Sequence, residues 1–206
     1  MVSDQKRMTP FCIETTSLMV ERASENAKKI NMAIAQGRTS RSITKGDGAF
    51  AGCLIEEGYL LALSSAQRAN SYGKDFIYKG KRVESKGKRR TNNRPPRPNY
   101  EASIAFDSTN YQHPDFYVHG SVLWVKEETE LILQYPRMWL MGGLSLKETK
   151  DKWRQVEKGA IEENNKWKCD GKCYNLYYNQ LKRINLRIDN EAYLSKIVTP
   201  CENNFS

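Results

Sequence analysis

Asp75, Glu84 and Lys86 are the residues whose types and spacing could do chemistry together. Asp75 begins a short apolar run, Lys79-Gly80 suits a two-residue turn, and the other two residues follow on the return segment. Residues two apart on a strand leave the same face, so Glu84 and Lys86 share a face, and the turn brings Asp75 near it. Two carboxylates there could hold Mg²⁺, which prefers oxygen ligands and keeps several waters. We expect such a site to activate a water, with Lys86 countering the charge that develops on a phosphate.

A second Glu-x-Lys sequence, Glu148-Thr149-Lys150, provides an internal comparison. Ser145 and Glu148 have the spacing of a capping box, which predicts a helix, where residues two apart do not share a face. This second sequence also lacks an acid on a preceding strand. For Glu84 and Lys86, the alternative interpretation is an exposed hairpin that carries ordinary surface charges.

The net charge of +9 is concentrated in one segment. Residues 68–100 contain eleven Lys or Arg and two acids, whereas the remainder of the chain is neutral. A solvated basic face is one explanation, but the position beside candidate catalytic acids favours a polyanionic partner. Nucleic acid fits better than an anionic membrane, because the segment lacks an amphipathic helical period. The candidate nucleic-acid-binding residues follow Lys86 in the chain: Lys88, Arg89, Arg90, Arg94 and Arg97.

The composition indicates a globular protein without a membrane partner. Apolar residues make up 39% of the chain and charged residues 28%. No apolar run approaches the roughly 18 residues that a spanning helix needs. Residues 1–10 lack an apolar signal core, and the five cysteines, an odd number, suit a reducing compartment. We therefore expect a cytoplasmic protein.

The elements that position these residues follow from apolar periodicity and from turn residues. Helices are expected over about 9–36, 49–65 and 145–158, with one more late in 174–198. Strands are expected over 75–78, 81–88, 100–106, 116–126 and 130–140. The proline-rich stretch 91–99 is expected to be an extended basic loop. This order predicts a single α/β domain over 1–206, with a C-terminal extension from about residue 177.

The order of a helical Glu, then Asp, then Glu-x-Lys resembles the PD-(D/E)xK nuclease superfamily. The chain is similar in particular to small phage and prophage proteins with this nuclease domain. The residues that carry the resemblance are Ser42–Gly46, Gly52–Glu57, Asp75, Gly80–Arg89, Pro98–Ser103, Gln112 with Asp115, and Cys173–Leu176. The resemblance implies a restriction-endonuclease-like fold, in which helices flank a mixed β-sheet.

The resemblance also implies a role for each matching residue. It implies that Asp75, Glu84 and the carbonyl of Ser85 are metal ligands and that Lys86 is the catalytic lysine. Glu56 corresponds to a helical acid that supports the metal, and Glu57, its neighbour, stays open as the alternative. Gln112 corresponds to an accessory residue. The implied cofactor is Mg²⁺, with Mn²⁺ as a substitute.

These patterns together lead us to expect a metal-dependent endo- or exodeoxyribonuclease in a phage-infected or prophage-bearing bacterial cell. Its partner is DNA, and whether it forms a homodimer stays open. The chain departs from the superfamily pattern at Lys74, in the place of the name-giving proline, at Ser85, where the usual residue is apolar, and at Gly87, where it is larger. These departures leave two rivals: a nucleic-acid-binding protein that has lost catalysis, and a virion or interaction protein that keeps the fold for structure.

Overall fold

The computed structural model describes residues 9–35, 47–71, 74–106, 113–161, 168–169 and 171–196. The elements in chain order are β1 (Phe11–Glu14), α1 (Ser17–Ala35), α2 (Asp47–Ala62), β2 (Gln67–Ser71), β3 (Lys74–Tyr78), β4 (Lys81–Arg90), β5 (Glu101–Ala105), β6 (Phe116–Leu123), α3 (Leu131–Gln134), β7 (Arg137–Ser145), α4 (Leu146–Lys152), β8 (Arg154–Val156), β9 (Cys173–Tyr177), a 3-10 turn (Tyr178–Gln180) and α5 (Asn190–Ser195). None of the helices in these ranges is long and apolar enough to cross a membrane.

Most of the strands form one mixed sheet. Its six strands lie in the order β1-β7-β6-β4-β3-β2. Strands β4 and β6 are parallel, and every other neighbouring pair is antiparallel. A smaller antiparallel sheet has the order β5-β9-β8. The predicted mixed α/β fold is therefore confirmed.

Helix α2 packs closely against one face of β4 and β6. Gly87 and Gly120 are partners in the parallel ladder, so the two adjacent strands present a flat patch without side chains. Ile55 of α2 lies on this patch, and a Cβ added at Gly120 would stand 2.6 Å from its Cδ1. Because side chains alternate along a strand, Glu84 and Lys86 leave the opposite face of β4. Glycine at position 87 is explained by packing, because a Cβ there would stand 3.0 Å from Cγ1 of Ile55.

The smaller sheet packs on the other side of the main sheet. Leu123 of β6 and Trp139 of β7 form one buried cluster with Leu176 of β9 and with Tyr178. The main core, on the α2 side, contains Phe76 and further residues of α1 and α2. The main sheet is therefore a middle layer between helices and the small sheet.

A bulge separates His119 from Gly120. His119 pairs with Gly142 but Gly120 pairs with Leu140, so Met141 is an extra residue on β7. Gly142 has a φ of 107°, in the region that favours glycine. The hydroxyl of Tyr59 donates to the His119 carbonyl at 2.6 Å, which ties α2 to the bulge.

The predicted helix from Thr9 begins later than expected. Residues 11–14 form β1 instead, which pairs with β7 in the register Phe11↔Leu140. The hydroxyl of Thr16 accepts a hydrogen bond from the amide of Met19, so the N-terminal cap lies at Thr16. The apolar residues before Thr16 complete a sheet edge, a tertiary contact that local periodicity does not indicate.

Two other predicted elements are wrong, and β2 was not predicted. The strand expected over 130–140 is instead a short helix, α3, followed by β7, and Pro136 precedes that strand. The helix that begins after Ser145 ends at Lys152, because Arg154–Val156 pairs with β9 as β8. Residues 67–71, which received no strand prediction, form β2 beside β3. The late C-terminal helix is α5, and the hairpin of β3 and β4 is confirmed.

Gly143→Ala is expected to destabilise the fold by about 1–3 kcal/mol, because overpacking against backbone is not relieved by rotamer changes. A Cβ at Gly143 would overlap the carbonyl oxygen of Tyr117 on β6. Gly52→Ala in α2 is the matched control, since a Cβ there meets nothing within 4 Å. The control is expected to be neutral or to stabilise by up to about 1 kcal/mol. Urea unfolding checks both, and equal stability of the two variants would contradict the packing.

Candidate active site

Glu84 and Lys86 form a contact pair on one face of β4. The Nζ of Lys86 donates to Oε1 of Glu84 at 2.8 Å, as expected for side chains two apart on a strand. The Glu84 side chain is 4% exposed and that of Lys86 is 19% exposed. This burial argues against the alternative of an exposed hairpin with ordinary surface charges.

Asp75 is held against the residue between them. Its Oδ2 accepts from both the amide and the hydroxyl of Ser85, each at 2.7 Å. The registered pairs of β3 and β4 end at Phe76↔Val83, so one further step places Asp75 opposite Glu84. The carboxylate thus takes the place of a ladder acceptor for the Ser85 amide. The Ser85 hydroxyl thus anchors the Asp75 carboxylate.

The two carboxylates have donor chemistry that fits Mg²⁺. Asp75 and Glu84 offer hard oxygen ligands, and Mg²⁺ is commonly bound by one or two carboxylates together with waters and substrate phosphates. Among the described residues there is no group of three or more His, Cys, Asp or Glu side chains placed to hold a metal ion. A metal ion held here would therefore have two protein carboxylates as ligands, and waters or a phosphate would have to supply the others.

Glu56 and Glu57 lie in a different set of contacts. Both carboxylates form buried salt bridges with Arg68 of β2. Glu57 also accepts a hydrogen bond from the hydroxyl of Tyr193 on α5 at 2.7 Å. This arrangement joins α2, β2 and α5. Within the described part of the chain, Glu56 does not join Asp75 and Glu84 in a metal-binding cluster.

Tyr117 and His119 on β6 stand beside the site, and the sequence did not indicate them as part of it. Tyr117 is the register partner of Glu84, and His119 is the register partner of Lys86. The Tyr117 hydroxyl and the His119 Nε2 are both buried without a hydrogen-bond partner among the described residues. The signal that could have found them is the alternation of Tyr117, His119 and Ser121 along a predicted strand, which places three polar side chains on one face.

Burial sets the protonation of these two side chains. Burial first, and then the positive charges of Lys86 and Lys88, lower the pKa of His119 to about 3. The imidazole is therefore neutral at pH 7. Burial and, secondarily, the charge of Glu84 raise the pKa of Tyr117 well above its usual range, so the phenol keeps its proton.

The candidate nucleic-acid-binding residues fall into different environments. Lys88 follows Lys86 on the same strand face. Arg89 is exposed, with its guanidinium 4.8 Å from the ring centre of Trp124. Arg90 is half-buried, 5.4 Å from the ring centres of both Tyr100 and Trp139, and burial lowers its pKa.

Arg94 and Arg97 are exposed on the loop 91–99 that follows β4. The segment has no helix or strand, so it is a loop as predicted, and it is held at its end: the Tyr100 amide donates to the Arg97 carbonyl at 3.0 Å, and the Asn179 amide to the Pro98 carbonyl at 2.8 Å. These two arginines and Arg89 are the exposed members of the five.

Two further sequence predictions have separate outcomes. Gln112 lies outside the described residues. Glu148 forms the predicted capping box with Ser145 at the start of α4 and also contacts Lys182. These hydrogen bonds, the one from Lys182 first, lower the pKa of Glu148 to about 2. The second Glu-x-Lys sequence is thus a helix cap.

No family model matches the chain, and neither a curated protein nor a solved structure matches it.

Proposed function

We propose that the chain is a metal-dependent deoxyribonuclease whose reacting centre lies between Asp75, Glu84 and Lys86. One observation carries the proposal: the buried Glu84–Lys86 pair on β4, with Asp75 anchored to the intervening Ser85. Removing two opposite charges from water costs several kcal/mol per ion before their attraction offsets it. A carboxylate and an ammonium kept in this position, beside a second carboxylate, are typical of a functional site.

The proposed chemistry assigns a task to each side chain. Asp75 and Glu84 would hold Mg²⁺, or Mn²⁺ in its place, through carboxylate oxygens. When bound, the ion supplies a water of lowered pKa and polarises the phosphate. The ammonium of Lys86 would stabilise the negative charge that develops on the phosphate oxygens. The low exposure of the Glu84 and Lys86 side chains limits their contact with bulk water and so strengthens this interaction.

DNA as the substrate is supported by the charge distribution. The whole excess of positive charge lies in residues 68–100, which contain the site and the exposed arginines of the loop 91–99. An excess of one charge sign attracts an oppositely charged ligand and raises its local concentration. The resemblance to phage and prophage nucleases supports the cytoplasm of an infected or lysogenic bacterium as the setting.

Replacing both Arg94 and Arg97 by Ala is expected to weaken binding to all DNA sequences alike. If these side chains neutralise phosphates, the slope of log affinity against log salt should become shallower by about 0.9 for each phosphate that loses its arginine. Lys28 and Lys29, exposed on α1, provide a control pair of the same charge outside the basic segment. Fluorescence anisotropy with a labelled duplex at several salt concentrations measures the slope. An equal change in the control pair would show that only net charge matters.

The proposed function is tested by incubating the purified chain with duplex, branched and single-stranded DNA in Mg²⁺ or Mn²⁺. We expect cleavage of at least one substrate and none in EDTA. Binding without cleavage on every substrate would favour the rival of a DNA-binding protein that has lost catalysis. Failure to bind any DNA would favour the virion or interaction protein.

A further inference from the structure

We propose that His119 is a positioning residue for Lys86. Its neutral imidazole accepts a hydrogen bond from the Lys86 ammonium when the Glu84 carboxylate binds a metal ion. This inference rests on the proposed function for its purpose, but the contact itself does not require catalysis. The site would then have two positions for one ammonium. In the first, Lys86 bonds to Glu84, as the structure has it. In the second, it bonds to His119.

The register places the two residues side by side. Lys86 and His119 are Cα partners in the parallel ladder of β4 and β6. Neighbouring strands lie about 4.8 Å apart, and paired side chains leave the same face. His119 is 1% exposed, and its Nε2 has no hydrogen-bond partner among the described residues. A buried polar atom without a partner costs about 1–3 kcal/mol, so a donor that reaches it stabilises the site.

The chemistry of the two groups is complementary. A lysine ammonium has only donors, and a neutral imidazole has one bare nitrogen that accepts. Burial keeps His119 in this neutral form, because an imidazolium would have to be desolvated beside two lysines. The Glu84 carboxylate can offer both of its oxygens to a metal ion only if the Lys86 ammonium shares or leaves Oε1. His119, the register partner of Lys86, offers an alternative acceptor on the adjacent strand.

Tyr117 is the competing acceptor, and its position is less favourable. Its register partner is Glu84 rather than Lys86. The Lys86 Nζ is 5.9 Å from the centre of the Tyr117 ring, which is a distance for a weak cation–π contact. Tyr117→Phe keeps the ring and removes only the hydroxyl. This variant therefore separates the two acceptors.

Nitrogen NMR of the imidazole rings tests the inference directly. The chain has only two histidines, so His113→Gln leaves His119 as the only imidazole. In that background and without metal, Glu84→Gln weakens the hydrogen bond between residue 84 and the Lys86 ammonium. The signal of the bare His119 nitrogen is then expected to move toward its hydrogen-bonded position. Adding Lys86→Met should reverse the movement, and adding Tyr117→Phe should leave it in place.

Titration of the otherwise unmodified His113→Gln chain with Mg²⁺ provides a second measurement that does not depend on the Glu84 variant. The same movement is expected, and Lys86→Met should again abolish it. If the His119 nitrogen signal moves in neither experiment, the inference is overturned. It is also overturned if the signal still moves in Lys86→Met. Movement with Glu84→Gln but not with Mg²⁺ would support the contact while contradicting the proposed metal site.

The kinetics would distinguish a positioning role from a structural one. His119→Leu is expected to lower kcat by about 10–100-fold with little change in KM, as for other outer residues that orient a reacting group. His119→Gln, which keeps an acceptor, should restore most of the activity. Equal activity of wild type and His119→Leu would overturn the inference without affecting the proposed function.

Discussion

Glu84→Gln is expected to abolish DNA cleavage and to leave DNA binding intact. The substitution keeps the size and shape of the side chain but removes the charge that a Mg²⁺ ion needs. It also removes a negative charge from the path of a polyanion, so binding in EDTA is expected to be equal or tighter. Because electrostatic stabilisation in such a site supplies a large part of catalysis, the rate should fall by at least about 10²–10³-fold.

Glu148→Gln is the matched control for this prediction. Glu148 belongs to the other Glu-x-Lys sequence, and it caps α4 and contacts Lys182. Its replacement should leave the cleavage rate unchanged. Turnover on a plasmid, with binding followed by anisotropy in EDTA, measures both variants. A Glu84→Gln protein that cuts DNA at the wild-type rate would rule out Glu84 as a metal ligand.

Arg68→Met is expected to destabilise the fold by about 3–5 kcal/mol, the usual consequence of removing one partner from a buried ionic network. The Arg68 side chain is 3% exposed, and it contacts the carboxylates of both Glu56 and Glu57, which are 7% and 0% exposed. Without Arg68, the two buried carboxylates lose the cation that both of them contact. The deficit should shrink at low pH, since protonation removes the uncompensated charges.

Arg82→Met makes the same chemical change at an exposed ion pair. Arg82 contacts Asp115 at 3.3 Å, and their side chains are 51% and 34% exposed. Exposed pairs of this kind contribute about 0–1 kcal/mol. Urea unfolding of the two variants measures the difference. If Arg68→Met were no more destabilising than Arg82→Met, the Glu56–Arg68–Glu57 network would not be the link between α2 and β2.

The hairpin that carries the candidate site could be predicted from local sequence. Lys79 and Gly80 have φ values of 49° and 73°, the conformation that the predicted two-residue turn requires. With that turn in place, strand alternation alone puts Glu84 and Lys86 on one face. The shared face of Glu84 and Lys86 could therefore be predicted, because it needs no residue outside β4.

The surroundings of the site could not be predicted, because they depend on strand pairing between distant segments. His119 is next to Lys86 only because β6, a distant segment of the chain, joins β4 in a parallel register. Glu56 was expected at the metal because the resemblance implies a helical acid there. No strand was predicted at 67–71, so the cation that binds Glu56, Arg68, was not placed beside it. Pairing of this kind depends on the whole fold rather than on local propensity.

Cleavage of a supercoiled plasmid by the wild-type chain and by Lys86→Ala, each in Mg²⁺ and in EDTA, tests whether the chain is a metal-dependent nuclease that uses Lys86. We expect nicked or linear product from wild type in Mg²⁺ and none in EDTA. The rate for Lys86→Ala, which should still bind the plasmid, is expected to be at least about 10²-fold lower. Wild-type protein that binds the plasmid but never cuts it in Mg²⁺ or Mn²⁺ would rule out the proposed activity, and a Lys86→Ala variant that cuts at the wild-type rate would rule out the role of Lys86.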